Sequence, residues 1–90
     1  MGKSFLITYD LKRPGHNYTW LYDAIKRLGD WQHPMESTWF VKVPYSVTAN
    51  DIYERLRTTM DQDDYLFVVE ITNANYYGWL SRDFWPWIKN

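Results

Sequence analysis

The chain has 90 residues, with ten lysines and arginines against eleven aspartates and glutamates, so its formal net charge is −1. This balance gives no overall attraction to a phosphate backbone and argues against nonspecific coating of nucleic acid. There is no cysteine, which excludes disulfides and cysteine zinc clusters.

The length supports one hydrophobic core and no second domain. We therefore expect a single domain over 1–90, with a core over 3–72 and a C-terminal arm over 73–90. No uncharged apolar run of about 18 residues is present, and the N-terminus leads straight into a strand, so we expect a cytoplasmic protein with no membrane partner. Marginal stability in so short a chain favours self-association.

The first predicted elements are a strand and a helix. Residues 3–9 are apolar, β-branched or aromatic, which is typical of a strand. Beyond the turn at Pro14, Leu21 and Ile25 follow helical spacing. Asn17 is the predicted cap and Gly29 the predicted stop.

A hairpin follows the first helix. Residues 31–35 contain Pro34, which predicts a short edge strand. Residues 38–43 alternate well enough to form its partner. Together the two segments predict a tight antiparallel pair.

The next elements are a second helix and a strand. Thr48 and Asp51 have the spacing of a capping box, and Ile52 and Leu56 supply the apolar face of the helix. Residues 65–71 form the most strand-like segment of the chain and predict a central strand. The remainder has no clean period, although 79–87 is compatible with a short helical turn before Pro86.

The order β, α, β, β, α, β predicts an α+β ferredoxin-like fold, with an antiparallel sheet and two helices on one face. Alternation assigns Phe67, Val69 and Ile71 of the last strand to the helix-covered face. The other face then carries an apolar patch that a second copy would cover, making a homodimer. The predicted dimer contacts are Leu6, Phe40, Leu66 and Val68.

One carboxylate is placed for chemistry at the end of the first strand. Asp10 is followed by Lys12 and Arg13, and such a group can hold a divalent cation beside a phosphate. The alternative is that Asp10 only caps the following loop as an Asx turn. His16, in the same loop, is a further candidate for phosphate binding, and His33 belongs to the edge strand.

Three short motifs then resemble a known family. Residues 8–11 (TYDL), 36–39 (ESTW) and 64–69 (DYLFVV) resemble CRISPR-associated protein 2, and the whole pattern is closer still to a bacterial SinR-like group. The virulence-associated protein D ribonucleases are a related branch. The resemblance implies a ferredoxin-like homodimer and, for some relatives, a metal-dependent nuclease in which Asp10 is catalytic and holds the metal.

Two functions follow as expectations. The first is hydrolysis of RNA or DNA with Mg²⁺ or Mn²⁺ on Asp10, with phosphate held by Lys12, Arg13 and His16, and with no organic cofactor. The second is a noncatalytic homodimer that binds another protein through its aromatic arm, since Trp and Tyr are enriched at binding hot spots. The predicted partner-binding residues are Trp79, Trp85 and Trp87.

Overall fold

The computed structural model describes residues 2–13 and 18–89, which form four strands and three helices. The elements are β1 (Gly2–Asp10), α1 (Thr19–Lys26), β2 (Asp30–Met35), β3 (Thr38–Pro44), α2 (Ala49–Arg57), β4 (Tyr65–Glu70) and α3 (Phe84–Lys89). None of the helices in these ranges has the length and apolar character needed to cross a membrane.

The strands form one antiparallel sheet in the order β2-β3-β1-β4. The first six elements follow the βαββαβ plan, so the predicted ferredoxin-like α+β fold is confirmed. The prediction that 65–71 is a central strand is wrong, because β4 lies at the edge beside β1. Its apolar composition has another cause: one of its faces packs against the core, and the other carries aromatic side chains in the open.

The helix starts differ in how well they match the sequence pattern. At α2, Thr48 Oγ1 accepts a hydrogen bond from the Asp51 N–H over 3.1 Å, and Asp51 Oδ2 accepts one from the Thr48 N–H over 2.9 Å. This confirms the predicted capping box. At α1, Tyr18 occupies the N-cap position, and the predicted cap Asn17 lies outside the described residues.

The main core lies between the sheet and the face covered by α1 and α2. Odd-numbered residues of β1 and β3 point into it and meet the apolar stripe of each helix. Its buried members are Phe5, Ile7, Tyr9, Tyr18, Leu21, Ile25, Leu28, Trp39, Val41, Val43, Ile52 and Leu56.

The prediction of which β4 side chains point toward the helices is wrong by one residue. Tyr9 pairs with Leu66, and Ile7 pairs with Val68, so these β4 side chains lie on the helix side and pack against the main core. Phe67 is consequently on the opposite face and is 62% exposed. A one-residue offset moves every side chain of a strand to the other face, and the apolar run from Tyr65 to Val69 has no alternation that would fix the facing.

Candidate functional site

The sheet face opposite α1 and α2 is partly covered by the chain's own C-terminal helix. Phe84 and Ile88, four residues apart on α3, are buried against Phe40, with Leu6 and Ile71 beside them. The Phe40 and Phe84 ring centroids are 4.7 Å apart. Two residues that were expected to contact a second copy, Leu6 and Phe40, therefore lie beneath α3.

Pro86 falls inside α3, whereas the sequence predicted a helical turn ending before it. The helix starts at Phe84, so Pro86 stands in its first turn, where the N–H groups have no acceptor within the helix. A proline there removes no helical hydrogen bond. Phe84 and Ile88 can therefore be placed one turn apart on either side of it.

Two polar contacts fasten α3 to the sheet. Trp87 Nε1 donates a hydrogen bond to Asp30 Oδ2 over 2.9 Å, and Lys42 Nζ donates one to the Trp87 carbonyl oxygen. The Lys42 ammonium also lies 4.6 Å from the centre of the Trp87 ring. Asp30 and Lys42 were not predicted from the sequence; the available signal was a lysine between Val41 and Val43 on a face whose neighbours are apolar.

An apolar groove runs between α3, the preceding segment and the sheet, and encloses about 260 Å³. We call it the aromatic groove. Two aromatic residues at its rim project almost completely into solvent: Tyr77 is 98% exposed and Trp79 is 99% exposed. The lining residues are Leu6, Met35, Phe40, Ile71, Tyr76, Tyr77, Gly78, Trp79, Leu80, Phe84 and Trp85.

The three tryptophans predicted to bind a partner differ in their surroundings. Trp79 is almost fully exposed and makes little packing contact. Trp85 is half-buried; its ring meets Phe84 edge-on, and its ring centroid is 6.1 Å from that of Tyr77. Trp87 makes the contacts that attach α3 to the sheet. Trp79 and Trp85 line the aromatic groove, and Trp87 anchors the helix that forms its wall.

Asp10 lies at the end of β1, on the part of the same sheet face that α3 does not cover. Its side chain is 62% exposed, and Oδ2 accepts a hydrogen bond from Lys12 Nζ over 2.5 Å. This bond is the main cause that raises the pKa of Lys12. A shallow hollow of about 230 Å³ lies beside Asp10 and is lined by Thr8, Tyr9, Asp10, Tyr65, Leu66 and Phe67.

Only some of the other residues of the predicted phosphate site lie close to Asp10. Lys12 also lies 4.7 Å from the centre of the Tyr65 ring. Arg13 Nε is 3.2 Å from Asp61 Oδ2, so its guanidinium already has an acidic neighbour. His16 lies outside the described residues. In the ranges 2–13 and 18–89, no three His, Asp or Glu side chains converge as a metal site would require.

The aspartate that opens 64–69 has a structural role. Asp64 is buried, and its Oδ1 accepts hydrogen bonds from the Lys12 N–H over 2.8 Å and the Tyr18 hydroxyl over 3.2 Å. Its Oδ2 accepts another from the Asp61 N–H over 2.9 Å. Burial by itself raises the pKa of Asp64, but these bonds outweigh it and leave the pKa below its ordinary value.

His33 packs against the aromatic part of the core. Its ring stacks on Trp39 with the centroids 3.8 Å apart, and its Nε2 is 3.0 Å from the Glu36 carbonyl oxygen. Trp39 in turn donates a hydrogen bond from Nε1 to the Tyr9 hydroxyl over 2.9 Å. These contacts assign His33 to packing of the hairpin, and among the described residues it belongs to no group of three His, Asp or Glu side chains that could hold a metal.

Comparisons with protein-family models, curated proteins and solved structures returned no match. The resemblance of residues 8–11, 36–39 and 64–69 to CRISPR-associated protein 2 and to the SinR-like group therefore stays a prediction.

Proposed function

We propose that this chain is an interaction domain whose aromatic groove binds an extended, proline-containing segment of a partner protein. The observation that carries the proposal is the near-complete exposure of Tyr77 and Trp79 at the rim of an apolar groove. A monomer gains nothing from holding two large aromatic side chains in water, and such residues dominate the energy of binding sites.

The chemistry of the lining suggests the kind of segment. Flat aromatic rings on an otherwise apolar floor suit pyrrolidine rings, and a proline-rich chain is extended before it binds, so it loses little conformational entropy. No charged side chain is among the described residues that line the groove, and Lys89 lines the adjoining hollow together with Tyr76 and Trp85. This uncharged lining favours an uncharged peptide over a phosphate backbone.

The test is a tryptophan fluorescence titration of the full chain with a polyproline peptide and, separately, with a glycine-serine peptide of equal length. We expect saturable binding of polyproline only, weakened about tenfold or more by Trp79→Ala. Trp20→Ala is the matched control, because Trp20 is 78% exposed but lies on α1, across the sheet from the groove. Equal loss in both variants, or no saturable change with wild type, would rule the proposal out.

A second candidate function is metal-dependent cleavage of RNA or DNA. It is supported by the position of Asp10, which is exposed at the uncovered end of the sheet beside Lys12. Within residues 2–13 and 18–89 no three His, Asp or Glu side chains converge, so Asp10 of a second copy, or water, would have to complete the ligands of Mg²⁺ or Mn²⁺. Such an ion, when bound, activates water and offsets phosphate charge.

The test for this second candidate is cleavage of labelled RNA and DNA in the presence of Mg²⁺ or Mn²⁺. Asp10→Asn removes the carboxylate with little change of shape, and Asp63→Asn is the control, because Asp63 is exposed in the loop before β4. Activity lost with Asp10→Asn and kept with Asp63→Asn would support cleavage. No cleavage by wild type, or equal cleavage by Asp10→Asn, would refute it.

A further inference from the structure

The two edges of the sheet differ in how they are protected against pairing with another strand. β2 contains Pro34, and its pairing with β3 shifts between Gln32 and Met35. Proline and an irregular register both block the addition of a strand. β4 has neither device: its pairing with β1 is regular over 65–70, and its one charged residue, Glu70, stands at its end.

The hydrogen bonds of β1 show which backbone groups of β4 point outward. Ile71 N–H donates to the Ser4 carbonyl over 2.8 Å, and Tyr9 N–H donates to the Ser37 carbonyl over 3.2 Å. Even-numbered residues of β1 therefore bond to β4, and odd-numbered ones bond to β3. By the same alternation, β4 turns the N–H and C=O groups of Leu66, Val68 and Glu70 toward its free edge.

We propose that β4 pairs with β4 of a second copy, antiparallel and centred on Val68, so that two sheets join into one. Only residues whose backbone groups point outward can form hydrogen-bonded pairs across the new junction. Centring on Val68 places Val68 opposite its own counterpart and Leu66 opposite Glu70 of the second copy. All three outward-pointing residues then find partners, giving about six hydrogen bonds.

The side chains favour the same register. Phe67 faces Val69 of the second copy on the open face, which makes an apolar cross-strand pair that occurs twice. Phe67 is 62% exposed in the single chain and would be partly covered by Val69 of the second copy. The two Glu70 carboxylates stand four residues apart along the junction, about 14 Å, which exceeds the screening length at physiological salt.

This pairing is independent of the aromatic groove, and it bears on the second candidate function. Asp10 is level with Tyr65 on the neighbouring strand. In the joined sheet the two Asp10 residues would be separated by six residue steps along the strands and three strand spacings across them. That distance is about 25 Å, so they would not share a metal ion.

The test is sedimentation equilibrium of two double variants that differ only in charge. Phe67→Lys with Val69→Lys places like charges opposite each other, and Phe67→Lys with Val69→Glu places opposite charges there. We expect wild type to dimerise, the like-charge variant to dimerise at least about tenfold more weakly, and the opposite-charge variant to stay closer to wild type. Trp20→Lys with Tyr45→Lys should leave the dimer unchanged, because these two exposed residues lie on α1 and just after β3, outside β4.

A second measurement needs no substitution and covers the case in which a variant fails to fold. Amide hydrogen exchange of the wild-type chain should show protection of Leu66, Val68 and Glu70 that rises with protein concentration. Trp31, which the same alternation directs out from the β2 edge, should show none. A monomer at all concentrations, equal affinities of the two double variants, or concentration-dependent protection at Trp31 in place of β4 would overturn the proposal.

Discussion

Asp64 Oδ1 accepts a hydrogen bond from the backbone N–H of Lys12 over 2.8 Å, which joins the loop before β4 to the loop that follows β1. The same oxygen accepts a bond from the Tyr18 hydroxyl just before α1. Three separate segments of the chain therefore meet at one buried carboxylate. The backbone of Lys12, two residues after Asp10, is held in place by this contact.

The first prediction concerns the removal of that carboxylate. Asp64→Ala should lower the free energy of unfolding by about 3 kcal/mol, because it leaves buried donors without an acceptor. Asp64→Asn should cost less, since the amide oxygen still accepts. Urea denaturation at neutral pH measures both. Asp63→Ala, in the exposed neighbouring position, is the control and should change stability by less than about 0.5 kcal/mol.

The second prediction is the pH dependence of the same contribution. The pKa of Asp64 lies below its ordinary value in the folded chain, so the unfolded chain binds the proton more readily. The stabilisation is therefore present above the unfolded pKa of about 4 and is lost as pH falls below it. The difference in the free energy of unfolding between wild type and Asp64→Asn, the stability gap, should therefore decrease from pH 5 to pH 3, roughly across that pKa. A gap that stays constant or widens would contradict the assignment.

The third prediction uses two glycines in different surroundings. A Cβ added at Gly29 would lie 2.0 Å from the Lys42 carbonyl oxygen, a backbone atom that cannot move without disturbing β3. Gly29→Ala should therefore destabilise the fold by about 2 kcal/mol. At Gly78 the nearest atom is the Trp85 ring edge at 3.9 Å, so Gly78→Ala should leave stability nearly unchanged. Thermal unfolding of the two variants makes the comparison, and a similar loss in both would refute it.

The sequence predicted an element correctly where a clear side-chain period or a capping motif marked it. The alternation of β3 and the spacing of Thr48 and Asp51 predicted their elements correctly, because each signal comes from neighbouring residues. For β4, both the predicted position in the sheet and the predicted direction of its side chains were wrong. An uninterrupted apolar strand carries no alternation, and strand order depends on contacts between distant segments such as that of Tyr9 with Leu66.

The candidate site was predicted less completely than the fold. The exposed position of Asp10 beside Lys12 followed from the strand end. The helix in the arm was foreseen only as a turn, and its docking on Phe40 depends on Asp30 and Lys42, which lie far away in sequence. No local pattern links Asp30 to Trp87, so the aromatic groove formed by that docking could not be predicted.

The fourth prediction tests how α3 is held. Phe84→Ala should lower the free energy of unfolding by about 3 to 4 kcal/mol, since Phe84 is buried and its removal leaves a cavity over Phe40. Trp87→Phe keeps an aromatic ring, smaller than the indole, but loses the hydrogen bond to Asp30, so a loss of at least about 1 kcal/mol is expected. Trp79→Phe is the control, because Trp79 has almost no contact to lose. Chemical denaturation would contradict this picture if Trp79→Phe cost as much as Trp87→Phe.

The last prediction concerns alkaline pH. Burial is the largest cause that raises the pKa of Tyr9 to about 12, even though the hydrogen bond from Trp39 lowers it. A raised tyrosine pKa contributes stability that is complete below the unfolded value of about 10 and is lost as pH rises toward the folded value. Ultraviolet absorbance of tyrosinate should therefore show a component near pH 12. That component should disappear in Tyr9→Phe and remain in Tyr45→Phe, because Tyr45 is 70% exposed. Tyr9→Phe should also destabilise the chain by about 1 to 2 kcal/mol, since the buried Trp39 N–H loses its acceptor. If the component near pH 12 persisted in Tyr9→Phe, the titration would belong to another tyrosine, and the link between Tyr9 and Trp39 would have no part in the alkaline transition.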